Sequence, residues 1–305
     1  MNKICVIGSL NIDLTVTMPR FHMPGETIFG SDFKTYTGGK GGNQAVAAAK
    51  LGADVLMVGC LGDDANAEIY RKLMEELHMK DCVKTVPALP SGVALIEVDS
   101  KGENRIIVIS GANMAVDKEW IDANWDTILG YDIFLFQLEI PMDTICYAAE
   151  KLHAAGKTVI LDPAPAAPLS DGLIESLDYI IPNETELSML SGCGNELESD
   201  IEAGARKLLD RGCKNVIVKM GARGAMLVNA EQAVMMPGFK VKAIDTTAAG
   251  DSFNAGFGYA LASGDSVLDA ISFANAVGAL STTAVGAQGA MPTAEQVAKF
   301  MAASK

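Results

Sequence analysis

A chain of 305 residues allows one large α/β domain or two modest ones, and 49% hydrophobic against 20% charged residues gives ample material for a packed core. The formal net charge of −14 argues against a nucleic-acid surface or an anionic membrane face, because both select clustered lysine and arginine. An anionic ligand can still be held where backbone amides, a metal or a local positive group offset the global field.

The chain opens with KICVIG, read as a first strand rather than a secretion signal, since no long apolar segment with a cleavage site follows. GSLNID then places Asn11 and Asp13 beyond that strand, at the carboxyl edge where α/β folds gather ligands. Both side chains can hydrogen-bond sugar hydroxyls, and turn capping is an equally good use of them there. Residues from about 13 to 37 break the strand–helix rhythm, as does SGVALIEVDSKGENRIIVISGAN from Ser91 to Asn113, whose Lys101-Gly102-Glu103-Asn104 centre reads as a hairpin turn. These two segments are expected to make a small separate sheet. Further β-rich runs, DVLMVGC, DIFLFQ, TVILD, DYIIPN and NVIVKM, alternate with helical patterns such as MDTICYAAEKLHAAG and IEAGARKLLDRG. That alternation predicts a largely parallel, doubly wound sheet in one domain spanning residues 1–305, without a linker or repeat. The uncharged run from Ile271 to Ala294 carries Ser272, Asn275, Thr282, Thr283 and Gln288, and is read as a buried helix followed by a loop rather than a membrane span.

Three segments carry the chemistry. TGGKGGNQAVAAAKLG joins four glycines to an alanine-rich helix, which lets backbone approach a ligand closely but equally suits a tight turn before a buried helix; it is not a GxxxxGK[ST] loop. PNETE, Pro182 to Glu186, reads locally as a helix start after a proline. DTTAAGDSFNAG, Asp245 to Gly256, sets small residues ahead of a helix that is expected to begin near Asp251. The unpaired amides of Ala248, Ala249 and Gly250 can then receive phosphate oxygens. Asp251 would repel a phosphate but could accept a proton from an attacking hydroxyl, so the local pattern leaves it two roles, helix cap or base.

Taken in order, GSLNID, GGKGGNQAVAAAKLGA, PNETE, DTTAAGDSFNAG and VGAQGAMP resemble the signatures of the ribokinase-like (PfkB-type) carbohydrate kinase family, from Ile4 to about Pro292. PGET, DPAPA and TTAAGDSFN bring the resemblance nearest to its ribose-phosphorylating members. The resemblance implies a roughly nine-stranded central sheet flanked by helices, and a small β lid, residues 13–37 and 91–110, that often serves as a dimer interface. It implies ATP-dependent phosphorylation of the 5-hydroxyl of D-ribose, with 2-deoxyribose, another sugar or a nucleoside as alternative acceptors. The nucleoside ranks lower because the lid offers only Phe29, Phe33 and Tyr36 for stacking. A non-catalytic sugar or nucleotide sensor is the rival from another class, and it has no need of a base at Asp251.

Carried onto this sequence, the sugar would be held by Asn11, Asp13, Gly39, Lys40, Asn43 and Glu139, with Asp251 as base and Ala248, Ala249 and Gly250 around the developing charge. Asn183, Lys219, Gly221, Gly224, Gly250 and Asn275 would face the nucleotide, and Glu186 would order magnesium-bound water. Potassium is implied beside Asp245, Thr247, Ser281, Ala284 and Gly286, with one ligand altered because Ala290 stands where close relatives carry serine. His22, His78 and His153 show no metal-ligand spacing, Met220, Met235 and Met236 read as packing, and six cysteines without a C-x-x-C pair fit a reducing cytoplasm.

Overall fold

The computed structural model describes residues 2–304. Its strands are β1 (Lys3–Ile7), β2 (Asn11–Thr17), β3 (Asp32–Gly38), β4 (Asp54–Leu61), β5 (Lys80–Thr85), β6 (Gly92–Val98), β7 (Asn104–Ile109), β8 (Ile133–Phe136), β9 (Thr158–Leu161), β10 (Tyr179–Ile180), β11 (Asn215–Lys219), β12 (Gly224–Asn229) and β13 (Ala233–Pro237). Nine of them form one sheet in the order β13-β12-β11-β10-β9-β8-β1-β4-β5. Neighbours from β11 through to β5 pair in parallel, while β12 and β13 close one edge as antiparallel strands. The six runs recognised in the sequence are β1, β4, β8, β9, β10 and β11, all parallel. Strands buried on both faces read as continuous apolar runs, which is why these are visible.

β1 divides the core. Ile4 and Val6 enter one buried cluster with Leu135 and Phe257, whereas Cys5 and Ile7 enter another with Phe134 and Phe136. Alternation of side chains along a strand forces that split, and helices cover both faces.

The remaining strands form a small sheet in the order β3-β2-β6-β7, built from the two segments that break the strand–helix rhythm. Asn11 and Asp13, read as following the first strand, begin β2, where extended backbone pairs with β3 and β6. The register puts Asn11, Asp13, Tyr36, Ala94, Ile96 and Val108 on one face, and Leu14, Phe33, Leu95 and Ile107 on the other. Every residue of β7 is exposed.

Candidate active site

The glycine-rich turn seats the first helix of the site. Gly39 stands at φ 79° immediately before the Lys40–Lys50 helix, a left-handed conformation that glycine adopts without penalty. Gly38 leaves room for the Asp13 carboxylate, since a Cβ there would overlap both of its oxygens. Glu139, beyond β8, accepts from the Lys40 backbone N–H at 3.0 Å and from the Ser9 hydroxyl. Asn11, Asp13, Gly39, Lys40 and Glu139 thus lie close together. Asn43 converges with them but is committed elsewhere: its Nδ2 donates to Asp251 Oδ2 at 2.9 Å and its Oδ1 accepts from Gln288 Nε2 at 3.0 Å.

The second helix of the site, Ala249–Ala262, begins two residues before the expected start. Ala248 is its N-cap at φ 59°, a strained position for a residue with a Cβ, and offers no side-chain cap. The Ala249 N–H donates to Thr246 O at 3.2 Å, so the unfilled amides of this turn are those of Ala248, Gly250 and Asp251 among the described residues. Asp251 lies in the first turn of the helix and does not cap it. Its carboxylate is buried and accepts from Asn43 and from Gln44 Nε2 at 3.1 Å. The helix-cap role left open by the sequence is therefore not the one adopted.

Gln44 is a member of the site that sequence reasoning passes over. The same amide donates to Asp162 Oδ2 at 3.2 Å, and Gln44 Oε1 accepts from Gln137 Nε2 at 2.7 Å. Asp162, the aspartate of DPAPA, pairs with Lys219 Nζ at 2.8 Å, and that ammonium lies beside Gly250. The available signal was an Asn-Gln pair inside a helix otherwise made of Gly, Ala and Val: buried polar residues require partners.

These contacts set the electrostatics. Burial pushes the Asp251 carboxyl up to about 6 against the attraction of Lys40, and Asp162 adds to the rise. Asp13 is pushed up to about 7 by burial and then by Glu139 and Asp251. Burial opposes the Lys40 ammonium, but the combined field of Asp251, Asp162, Glu139 and Glu186 prevails and raises its pKa. Glu186 is raised, chiefly by burial.

A polar cleft of about 370 Å³ lies over the Ala248–Asp251 turn, lined also by Lys40, Asn183, Glu186 and Lys219. Asn183 and Glu186 form a capping box: Glu186 N–H donates to Asn183 Oδ1 at 2.8 Å and Asn183 N–H to Glu186 Oε2 at 2.7 Å. PNETE is thus a helix start and a cleft wall at once, with Glu186 Oε1 outside the box. Continuous with it is an apolar cleft of about 400 Å³ lined by Gly221, Gly224, Phe239, Val241, Phe253 and Asn275. Asn275 donates to the Met236 and Pro237 carbonyls at 3.2 and 3.3 Å, leaving only its oxygen for a ligand. The aromatic walls Phe239 and Phe253 carried no sequence signal.

Behind the turn, Asp245 ties two loops together by accepting from Thr247 N–H and Oγ1 and from Gly286 N–H at 2.9, 2.7 and 2.9 Å. Among the described residues, the carbonyls of Asp245, Thr247, Ser281, Ala284 and Gly286 accept no backbone hydrogen bond within these loops.

A carboxylate kept dry beside unfilled helix amides and two lysines suits phosphoryl transfer, which demands a proton acceptor, positioned charge and little else. The class is an α/β phosphotransferase. The pattern of pfkB family carbohydrate kinases matches residues 1–294, and the chain belongs to that family. It is 38% identical to a ribokinase of Haemophilus influenzae, over 98% of each chain. It is also 38% identical to a deoxyribokinase of Salmonella typhi, again over 98% of each. A solved structure of Arabidopsis thaliana ribokinase complexed with ribose and ATP superposes with a TM-score of 0.90 at 34% identity, covering 98% of both chains.

Proposed function

We propose that this protein transfers the γ-phosphoryl group of ATP to the 5-hydroxyl of D-ribose, giving D-ribose 5-phosphate and ADP. The observation that carries the reading is Asp251, a buried carboxylate in the first turn of a helix whose amides at Ala248, Gly250 and Asp251 are unfilled among the described residues. Asp251 takes the proton of the 5-hydroxyl as its oxygen bonds to the γ-phosphorus and the bond from that phosphorus to the bridging oxygen breaks. The Gly250 and Asp251 amides, with Lys219 beside them, bear the charge that develops. Asn11, Asp13 and Glu139 hold the sugar hydroxyls, and the apolar cleft between Phe239 and Phe253 receives the adenine. The small sheet acts as the lid of the same kinase unit.

Magnesium fits at the oxygen of Glu186 that lies outside the capping box, through water, because a hard cation that keeps most of its hydration needs few protein ligands. It would supply charge neutralisation on the phosphates. Potassium fits the carbonyls of Asp245, Thr247, Ser281, Ala284 and Gly286, and would steady the anion-binding turn through its charge. The outer face of the small sheet exposes Phe33, Leu95 and Ile107, and a second copy covering that face gives a lid-to-lid homodimer. Six free thiols support a reducing cytoplasm.

The deoxyribokinase relative makes 2-deoxyribose the second acceptor to weigh. The deciding experiment is ADP release by purified protein with ribose, 2-deoxyribose, fructose and adenosine, each with magnesium and with or without potassium. Ribose-dependent turnover stimulated by potassium is expected. Turnover only on another acceptor replaces the substrate, and binding without turnover sinks the enzyme in favour of a sensor.

A further inference from the structure

Asn113, which lies just past the small sheet, makes contacts that define the orientation of the sugar-facing residue Asn11. Its Oδ1 accepts from the Leu10 backbone N–H at 2.8 Å, and its Nδ2 donates to Leu10 O at 3.3 Å. A residue gripped at both its backbone N–H and its backbone carbonyl fixes which end of the Asn113 amide is oxygen, since the flipped form would set N–H against N–H. The second hydrogen of that Nδ2 meets Asn11 Oδ1 at 2.7 Å. Asn11 is therefore also fixed: its oxygen faces Asn113, and its Nδ2 makes no hydrogen bond among the described residues. Asn11 Cγ lies close to Gly39, at the mouth of the glycine turn.

The surroundings are built for this contact. A Cβ at Gly92 would overlap both Asn11 Oδ1 and Asn113 Nδ2, so glycine there is what lets the two amides meet. Asn113 is buried, and it sits in a short helical turn held by the Ala112 N–H to Pro90 O bond at 2.8 Å. Nothing about that burial requires an amide side chain except the partners it satisfies.

We propose that Asn113 is a positioning residue that fixes Asn11 as a hydrogen-bond donor to the sugar, and so sets discrimination between an acceptor that carries a 2-hydroxyl and one that lacks it. The proposal rests on the reading that Asn11 faces the sugar hydroxyls. A preset donor rewards a hydroxyl oxygen, and an acceptor without that hydroxyl leaves the donor buried and unpaired, the form of selection that hydrogen-bonding sites perform best.

Asn113→Leu removes the partner of the Asn11 oxygen and leaves that amide free to rotate, so its donor is no longer preset toward the sugar. Steady-state kinetics on D-ribose and 2-deoxy-D-ribose test it. The expected result is a rise of about tenfold in KM for ribose, less than twofold change in kcat, and little change with 2-deoxyribose, so that the preference collapses. Asn113→Ser, which is too short to reach Asn11, should collapse the preference in the same direction and guards against a variant that misfolds. An equal loss on both sugars, or an unchanged preference in a folded variant, overturns the proposal. Asn11→Ala separates the two levels. If it collapses the preference while the Asn113 variants do not, the proposal alone fails; if it leaves the preference intact, the sugar-facing reading of Asn11 fails and takes the proposal with it.

Discussion

The pair of helices Lys40–Lys50 and Ala249–Ala262 and the small four-stranded sheet meet at the Gly38–Gly39 turn, but they are finished to different degrees. Between the helices, Asp251 is held by Asn43 and Gln44, Gln44 by Gln137, and Asp162 by Gln44 and Lys219. On the sheet, the Asn11 amide nitrogen is open, Phe33 and Ile107 are each 61% exposed, and all of β7 faces solvent. Around Asp251 the carboxylates are held in advance, which is what preorganised electrostatics requires, while Gln137 Oε1, Ser252 Oγ and the Asn254 amide are buried without a hydrogen-bond partner among the described residues. The small sheet is left open: one face carries the unpaired Asn11 amide nitrogen and the other exposes Phe33 and Ile107, where the proposed sugar and the proposed second copy would sit.

The largest expected effect comes from removing the reacting group on the finished side. Asp251→Asn should lower kcat by about 10²–10⁴-fold while ribose and ATP still bind, measured by turnover beside calorimetric titration; near-normal turnover would remove Asp251 from the base role. Next is the ion pair behind it. Lys219→Met strands the Asp162 carboxylate, which is 3% exposed, and should cost about 3–5 kcal/mol in urea unfolding. A loss under 1 kcal/mol would mean that Asp162 finds another partner or is hydrated.

Smaller effects sharpen the comparison. Because Asp251 must be ionised to act, and burial raises it to about 6, kcat should fall about tenfold per pH unit below that point. Gln44→Met removes one donor from the ionised form and should move this acid limb to higher pH, with Lys40, Asp162 and Asp13 as the other charged groups around Asp251. An unmoved limb would place Gln44 outside the control of the base.

For stability the sign is reversed. A carboxyl raised on folding favours the native state when protonated, so the contribution of Asp251 and Asp13 is full below about pH 4 and is lost as pH rises through about 6 and about 7. In the ligand-free protein, neutralising both as Asp251→Asn with Asp13→Asn should flatten the fall of Tm between pH 5 and 8; parallel curves would contradict the shifts.

On the open side, the proposed lid-to-lid dimer should appear as a dimer by light scattering and become a monomer in Ile107→Lys, with kcat within about twofold. A persistent dimer would locate the interface elsewhere.

Much of this was legible in one sequence because some signals are local. The parallel strands are continuous apolar runs, the helix start at Asn183 is a capping box written in four residues, and the approach of backbone at Gly38 and Gly39 is written as glycine. The ordered motifs also pointed to the family that the comparison establishes. Other features carry no local mark. The edge strands β5 and β13 are largely solvent-facing, so their apolar pattern is diluted.

The sequence by itself determined the alternation of strands and helices, the glycine turns and the candidate base, because backbone propensity, burial period and helix-end chemistry act over a few neighbouring residues. Only the tertiary structure decided that Asp251 is not a cap, that Asn43 is engaged with Asp251 and Gln288, that Gln44 joins two carboxylates 118 and 207 residues away, and that Asn113 orients Asn11. A side-chain hydrogen bond is set by the distance and angle between groups that folding brings together, and sequence spacing records neither.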